Sequence, residues 1–229
     1  TGEQKAAVSA IVAASERGEG AFLLRGVTGS GKTEVYMQCA RSVLAQGKTV
    51  LIMVPEISLT PQMVARFLGR FGPVAAVLHS RLSPGERLDE WLRLRRGEAR
   101  VCIGARSAVF APLERLGLLV VDEEHEASYR SEYTPRYDAV EVARQRCLRE
   151  GATLVLGSAT PSVERYYAME QGEYQLLTME KRASGMPLPV VSVVDMRQEL
   201  ALGNRSVFSG ELALALGECL EAGEQAILF

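Results

Sequence analysis

The residues best suited to chemistry lie in one stretch, Gly26-Val27-Thr28-Gly29-Ser30-Gly31-Lys32-Thr33. It has the spacing G-x-x-x-x-G-K-[ST], which cradles phosphate groups. Gly26, Gly29 and Gly31 let the backbone curl, so that N–H groups from Thr28 through Thr33 converge on an anion. Lys32 would reach the terminal phosphates of a nucleotide, and the Thr33 hydroxyl would hold a magnesium ion. A second group, Asp122-Glu123-Glu124-His125, follows four apolar residues, Leu118 to Val121. At such a position Asp122 serves the hydrated metal and Glu123 orients and deprotonates the attacking water. Alone, the acidic group would read equally well as a solvated loop. A third polar group, Gly157-Ser158-Ala159-Thr160, also follows an apolar run, and His125 could link it to the second.

A phosphate loop works only between a strand and a helix, and the flanks supply both. Ala21 to Leu24 reads as a buried strand, and Thr33 to Gln46 as a helix stopped by Gly47. The same alternation runs along the chain. A helix is expected over Thr1 to Ser15, ended by Gly18 and Gly20. Strands are expected at Thr49–Val54, Val74–Leu78, Val101–Ile103, Leu118–Val121 and Thr153–Leu156. Between them, Thr60-Pro61 starts a helix to Phe71, Ser83-Pro84-Gly85-Glu86 starts one that stops at Gly97, and Asp138 caps one to Glu150. A further helix passes through Tyr166 and Tyr167. Continuous apolar strands alternating with helices predict an α/β fold, a mainly parallel sheet covered on both faces. Ligands of such sheets sit at the carboxyl ends of the strands. The glycine loop, Pro55-Glu56, Asp122–His125 and Gly157–Thr160 all fall at that edge.

After Lys181 the pattern changes. Residues 183–189 read as a linker, Val190–Val194 as a strand, Ser209 as the cap of a helix through Leu220, and Ala226–Phe229 as the start of another strand. Residues 1–182 are therefore expected to form one lobe and 190–229 the opening of a second. A first residue other than methionine and an apolar last stretch suggest a piece of a longer chain.

The 229 residues carry a net charge of −2, so any contact with nucleic acid must be a local patch. Arg106 follows a strand on the functional edge and is a candidate for a DNA phosphate. Arg93, Arg95, Arg96 and Arg100 read as a solvated helix face, and His79 is open between a polar strand end and a role. Cys39, Cys102, Cys147 and Cys219 lack zinc spacing and read as reduced core residues, consistent with a cytoplasmic protein. No apolar run reaches the ~20 residues of a membrane span.

Three classes of function compete: an ATP-driven motor, a small-molecule kinase, and a DNA-binding module with a nucleotide switch. Kinases usually lack the Asp-Glu-x-His and Ser-Ala-Thr groups, and intact Lys32, Thr33, Asp122 and Glu123 argue against a vestigial site. At this point the chain resembles superfamily 2 helicases, whose motifs I, II and III match Gly26–Thr33, Asp122–His125 and Gly157–Thr160. Val54-Pro55-Glu56-Ile57-Ser58-Leu59-Thr60, Leu78-His79-Ser80-Arg81 and Gly104-Ala105-Arg106-Ser107-Ala108-Val109-Phe110 are similar to the primosomal replication-restart helicases in particular. The runner-up is another branch-processing helicase such as RecG.

The resemblance implies a RecA-like lobe using ATP and magnesium, moving on single-stranded and forked DNA from the 3′ to the 5′ end. It implies that Gln4 contacts adenine, that Pro55, Glu56, Arg106 and Ser107 hold the single-strand backbone, and that Ser158 and Thr160 couple nucleotide to DNA. It makes the segment with Tyr129, Tyr133 and Tyr137 an aromatic-rich loop that senses single-stranded DNA. Primosome and single-strand-binding proteins are the implied partners. The family's zinc ligands are absent from this chain and are expected in the full-length protein.

Overall fold

The computed structural model describes residues 1–183, 185 and 190–228. The chain divides near residue 186 into two compact units. In the first, seven strands form one parallel sheet: β1 (Ala21–Gly26), β2 (Thr49–Met53), β3 (Ala75–Leu78), β4 (Val101–Gly104), β5 (Leu116–Asp122), β6 (Thr153–Ser158) and β7 (Gln175–Met179). Their order is β3-β4-β2-β5-β6-β1-β7. The helices are α1 (Gly2–Arg17), α2 (Lys32–Ala45), α3 (Pro61–Phe71), α4 (Pro84–Arg95), α5 (Ala139–Glu150) and α6 (Val163–Glu170).

The strands are apolar throughout because both faces are covered. Alternate side chains of one strand enter two separate cores. Leu23, Leu51, Leu119 and Leu154 pack with Leu94 of α4 and with Val140 and Ala143 of α5. Leu24, Ile52, Val120 and Val155 pack with Ile11 of α1, Val35 and Ala40 of α2 and Phe67 of α3. Truncating one of these fully buried leucines to alanine costs ~2–5 kcal/mol, enough to matter in a domain of this size.

Helix starts follow the side chains that cap them. Thr60 accepts from Met63 N, Ser83 and Glu86 close a capping box, and Asp138 accepts from Val140 N and Glu141 N. At α1 the capping box is Thr1 with Gln4. Cys39, Cys102 and Cys147 are buried free thiols, and burial pushes each up to about 12.

Strand β7 is absent from the sequence expectation. It is an edge strand, half-exposed and rich in Gln, Leu and Met, so it lacks the β-branched apolar run of the central strands. In the second unit the expected strand Val190–Val194 does not form. Among the described residues its β-branched side chains have no sheet partner, and Val190, Val191 and Val193 are exposed. Residues 226–228 also form no strand, and Phe229 lies outside the described residues. The helix capped by Ser209 is present as α8 (Gly210–Glu221). It is preceded by α7 (Met196–Ala201), capped by Asp195 and unforeseen. Of the expected linker, residues 184 and 186–189 lie outside the described residues.

Candidate functional site

β1 delivers Gly26 and α2 begins at Lys32, so the loop between them sits at the carboxyl edge of the sheet. Gly29 and Gly31 take φ of +81° and +87°, a region open to glycine at no steric cost. A Cβ on Gly26 would lie 2.6 Å from Ser30 Oγ and 3.1 Å from Lys32 Cγ, so only glycine lets the loop close. Among the described residues, Ser30 Oγ is buried without a hydrogen-bond partner. Thr28 and Gly29 are exposed at the rim. The buried Lys32 ammonium donates to Gly26 O at 2.9 Å and lies 3.4 Å from Glu123 Oε1.

β6 separates β1 from β5 in the sheet, and Asp122 ends β5 across from this loop. The Asp122 residue is 7% exposed. Burial pushes its carboxyl from 3.8 to about 6, opposed by the hydrogen bond from Tyr36; Glu123 adds to the rise and Lys32 offsets it. Tyr36 Oη donates to Asp122 Oδ1 at 2.8 Å. Tyr129 Oη donates to Asp122 O at 2.7 Å. Glu123 has φ +45°, a strained value for a non-glycine residue that turns its carboxylate toward Lys32.

Glu124 is buried and accepts from Ser162 N at 2.7 Å and Ser162 Oγ at 3.0 Å. His125 Nδ1 and Ser158 Oγ are 2.8 Å apart. Ser158 Oγ also accepts from Thr160 N at 3.0 Å, which leaves its own hydrogen free to donate to Nδ1. The second sequence motif is therefore tied to the third through His125 and Ser158, and to Ser162, just beyond the third, through Glu124. His125–Ser158 was the expected one; Glu124–Ser162 was not foreseen.

Gln4 Oε1 accepts from the Thr1 nitrogen at 2.7 Å, and Gln4 Nε2 donates to Ser30 O at 2.9 Å. The capping box thus aims Gln4 at the phosphate loop itself. The loop is flanked on its other side by the segment that follows β7. Val27 N donates to Met179 O at 3.1 Å, and Ala183 N donates to Gly29 O at 2.8 Å.

A second cleft opens beside this site. Glu56, Ser80, Arg87, Arg106, Ser107 and Tyr137 line a cavity of about 260 Å³. Pro55 is buried, and Glu56 Oε1 accepts from Ser80 Oγ. Arg106 is engaged with the aromatic-rich loop through one of its nitrogens. Its Nη1 donates to Arg130 O at 2.6 Å and Ser128 O at 3.3 Å, and its guanidinium carbon lies 5.9 Å from the centroid of Tyr137. The tyrosines separate by burial. Tyr129 is 2% exposed and closed to a stacking base. Tyr137 is half-buried, edge-on to Phe110 at 5.1 Å between centroids. Tyr133 is 81% exposed. Of the three tyrosines in the aromatic-rich loop, Tyr129 is turned inward, its hydroxyl spent on the Asp122 carbonyl. The basic cluster is committed locally: Arg93 pairs with Glu90 at 2.6 Å and Arg95 lies over Trp91.

The sequence pattern described as DEAD/DEAH box helicase matches residues 1–168. The chain belongs to that helicase family. The helicase chain is 54% identical over its whole length to the replication restart protein PriA of Bacillus subtilis, covering 29% of that protein. It is 48% identical over its whole length to replication restart protein PriA of Treponema pallidum, covering 34% of that protein. The chain thus spans about a third of the length of the relatives it matches. Among solved structures, RecG bound to a three-way DNA junction aligns with 79% of the chain and 23% of its own at a TM-score of 0.56 and 24% identity, a likeness of fold. Among the described residues no helix is long and apolar enough to cross a membrane, and no group of three or more His, Cys, Asp or Glu forms a metal site.

The residues fit magnesium-bound nucleotide. Gly26 forms a cradle that a Cβ would fill, and Ser30 Oγ is an orphaned polar atom inside it. Thr33 and Asp122 supply hard oxygen donors, the type magnesium prefers.

Proposed function

We propose that residues 1–182 form the first RecA-like lobe of a replication-restart DNA helicase and that residues 190–229 begin the second. The observation that carries this reading is the convergence of Lys32, Asp122, Glu123 and His125 at one sheet edge, with Lys32 Nζ 3.4 Å from Glu123 Oε1 and His125 Nδ1 2.8 Å from Ser158 Oγ. The relatives at 54% and 48% identity are replication restart proteins, whereas the likeness to RecG rests on fold. That difference favours replication restart over general branch processing.

In this reading the loop from Gly26 to Thr33 binds the phosphates of ATP through its backbone N–H groups and the α2 amino terminus. Lys32 leaves Gly26 O and Glu123 and takes the terminal phosphates. Thr33 and Asp122 would hold magnesium, which would supply charge neutralisation on the phosphate oxygens. Glu123, released from Lys32, accepts a proton from water as the water oxygen bonds the terminal phosphorus and the bridging oxygen leaves with ADP. Gln4 bears on the loop through Ser30 O and reads adenine. His125, Ser158 and Thr160 relay the state of the site along the sheet edge. Glu56, Ser107 and the exposed Tyr133 contact single-stranded DNA, with Pro55 and Arg106 shaping the cleft. Forked DNA is the substrate and primosome and single-strand-binding proteins are the partners. Zinc belongs to the remainder of the full-length protein, and the location is the cytoplasm.

The test is ATP hydrolysis by the full-length protein with and without forked DNA, for wild type and Lys32→Ala. Loss of at least ~10²-fold in DNA-stimulated turnover is expected, on the scale of one lost electrostatic contact to the transition state. Unchanged turnover in the variant refutes the site.

A further inference from the structure

Two tyrosine hydroxyls end on Asp122, and neither belongs to a motif that touches nucleotide. Tyr36 lies on α2, one turn beyond Lys32, with its hydroxyl 2.8 Å from Asp122 Oδ1. Tyr129 lies in the aromatic-rich loop, with its hydroxyl 2.7 Å from Asp122 O. They are among the largest fully buried side chains of the chain. A buried phenol keeps its hydrogen, so both hydroxyls act as donors.

The two contacts do different things. Tyr36 holds one oxygen of a carboxylate that cannot be solvated, fixing the χ angles that decide where the other oxygen points. Gly157 is part of the same arrangement, because a Cβ there would strike the Tyr36 hydroxyl. Tyr129 takes the carbonyl at the point where β5 leaves the sheet and Glu123 turns to φ +45°. Glu124 N donates to Gly157 O at 3.0 Å just beyond. The strained turn is thus held at both ends, one of them by a loop residue. That loop is itself tied down by Arg106 on the carbonyls of Ser128 and Arg130 and by Ser131 N on Tyr137 O at 2.8 Å.

We infer that Tyr36 and Tyr129 are positioning residues for Asp122 and Glu123: Tyr36 sets the metal-facing carboxylate from the phosphate-loop helix, and Tyr129 sets the Asp122–Glu123 turn from the aromatic-rich loop. This inference rests on the nucleotide-site reading above. It makes Arg106 a brace for the loop.

Phenylalanine at either position keeps the ring and removes only the donor. The experiment titrates a fluorescent adenine nucleotide into the full-length wild type, Tyr36→Phe and Tyr129→Phe, in EDTA and over a magnesium series, with turnover in the presence of single-stranded DNA as a second readout. Tyr36→Phe should leave affinity in EDTA within twofold and raise the half-saturating magnesium about tenfold. Tyr129→Phe should leave the magnesium response near wild type and lower DNA-stimulated kcat about tenfold, with KM for ATP within twofold. Thermal melts within a few degrees of wild type exclude a general loss of structure. If Tyr36→Phe weakens nucleotide binding equally with and without magnesium, or matches wild type in both, the positioning role is refuted. If Tyr129→Phe shifts kcat and KM in parallel, or neither, its role is refuted. A wild type that binds no magnesium nucleotide overturns the nucleotide-site reading and this inference with it.

Discussion

Asp122→Asn separates the cost of the site from its use. The carboxyl is 7% exposed and pushed from 3.8 to about 6, chiefly by burial. A shift of about two units is worth ~3 kcal/mol at ~1.4 kcal/mol per unit. The sign is destabilising. The folded state holds the proton more tightly than the unfolded state, so stability falls as pH rises through the interval from 3.8 to about 6 and stays low above it. Asparagine carries no charge and still accepts from Tyr36 Oη through its amide oxygen. Its buried amide hydrogens lack an assured acceptor, a penalty of ~1–3 kcal/mol that does not depend on pH. The informative quantity is therefore a double difference. The unfolding free energy of wild type minus that of the Asp122→Asn variant should drop by ~3 kcal/mol between pH ~4 and pH ~7.5. Carboxylates distant from Asp122 cancel in the difference. The assay is urea unfolding of the 229-residue chain in EDTA without nucleotide, followed by far-ultraviolet circular dichroism. A double difference within ~0.5 kcal/mol of zero, less than a fifth of the ~3 expected, refutes the assignment of Asp122 as a buried carboxylate whose charge the fold must support.

Glu123→Gln should retain magnesium-nucleotide binding in a fluorescence titration while turnover in the full-length protein falls ~10²–10⁴-fold, the usual share of a general base; persistence of turnover identifies another base. Tyr133→Ala should raise the single-stranded DNA concentration for half-maximal ATPase by ~5–150-fold, the equivalent of ~1–3 kcal/mol of base stacking, and leave basal nucleotide binding unaltered. Equal loss of basal binding would mark Tyr133 as structural. Gly157→Ala places a Cβ against the Tyr36 hydroxyl and should cost ~1–3 kcal/mol in urea unfolding, as overpacking does. In Tyr36→Phe that cost should shrink, since the nearest clashing atom is gone and the ring Cζ lies 2.9 Å from the added Cβ; an undiminished cost would place the clash on that ring carbon.

The nucleotide edge was legible because its chemistry is written in contiguous residues. Asp122–His125 sits directly after an apolar run and Gly26–Thr33 one residue after another, and the run announces the strand that places each. Caps were equally legible, as Thr60, Ser83, Asp138 and Ser209 each accept from the first turn they precede. What was hidden depends on contacts between distant residues. Tyr36 reads as one more apolar residue of a helix, and only the fold brings its hydroxyl to a carboxylate 86 residues away. Tyr129, Tyr133 and Tyr137 look alike in a polar stretch, yet one is buried under the Asp122 carbonyl and one is exposed. Arg106 stands at the edge its position predicts, but the bonds of its Nη1 to the carbonyls of Ser128 and Arg130 are visible only in the fold. The Val190–Val194 run failed for the opposite reason: β-branched residues favour a pleated, half-buried surface, and none is offered to them.

Four consecutive residues, Asp122 to His125, address four different neighbours: α2 through Tyr36, the phosphate loop through Lys32, the start of α6 through Ser162, and the end of β6 through Ser158. A single turn can do this because Glu123 takes φ +45° and sends successive side chains in divergent directions. The turn is then over-determined, and a shift of any one neighbour must strain the contacts of the others. On the proposed reading nucleotide would act on it through Lys32, while the aromatic-rich loop bears on it through the Asp122 carbonyl. The strained φ at Glu123 is where the two inputs would meet, so on the proposed reading a ligand at either place should change the energy of the other without a longer path through the core.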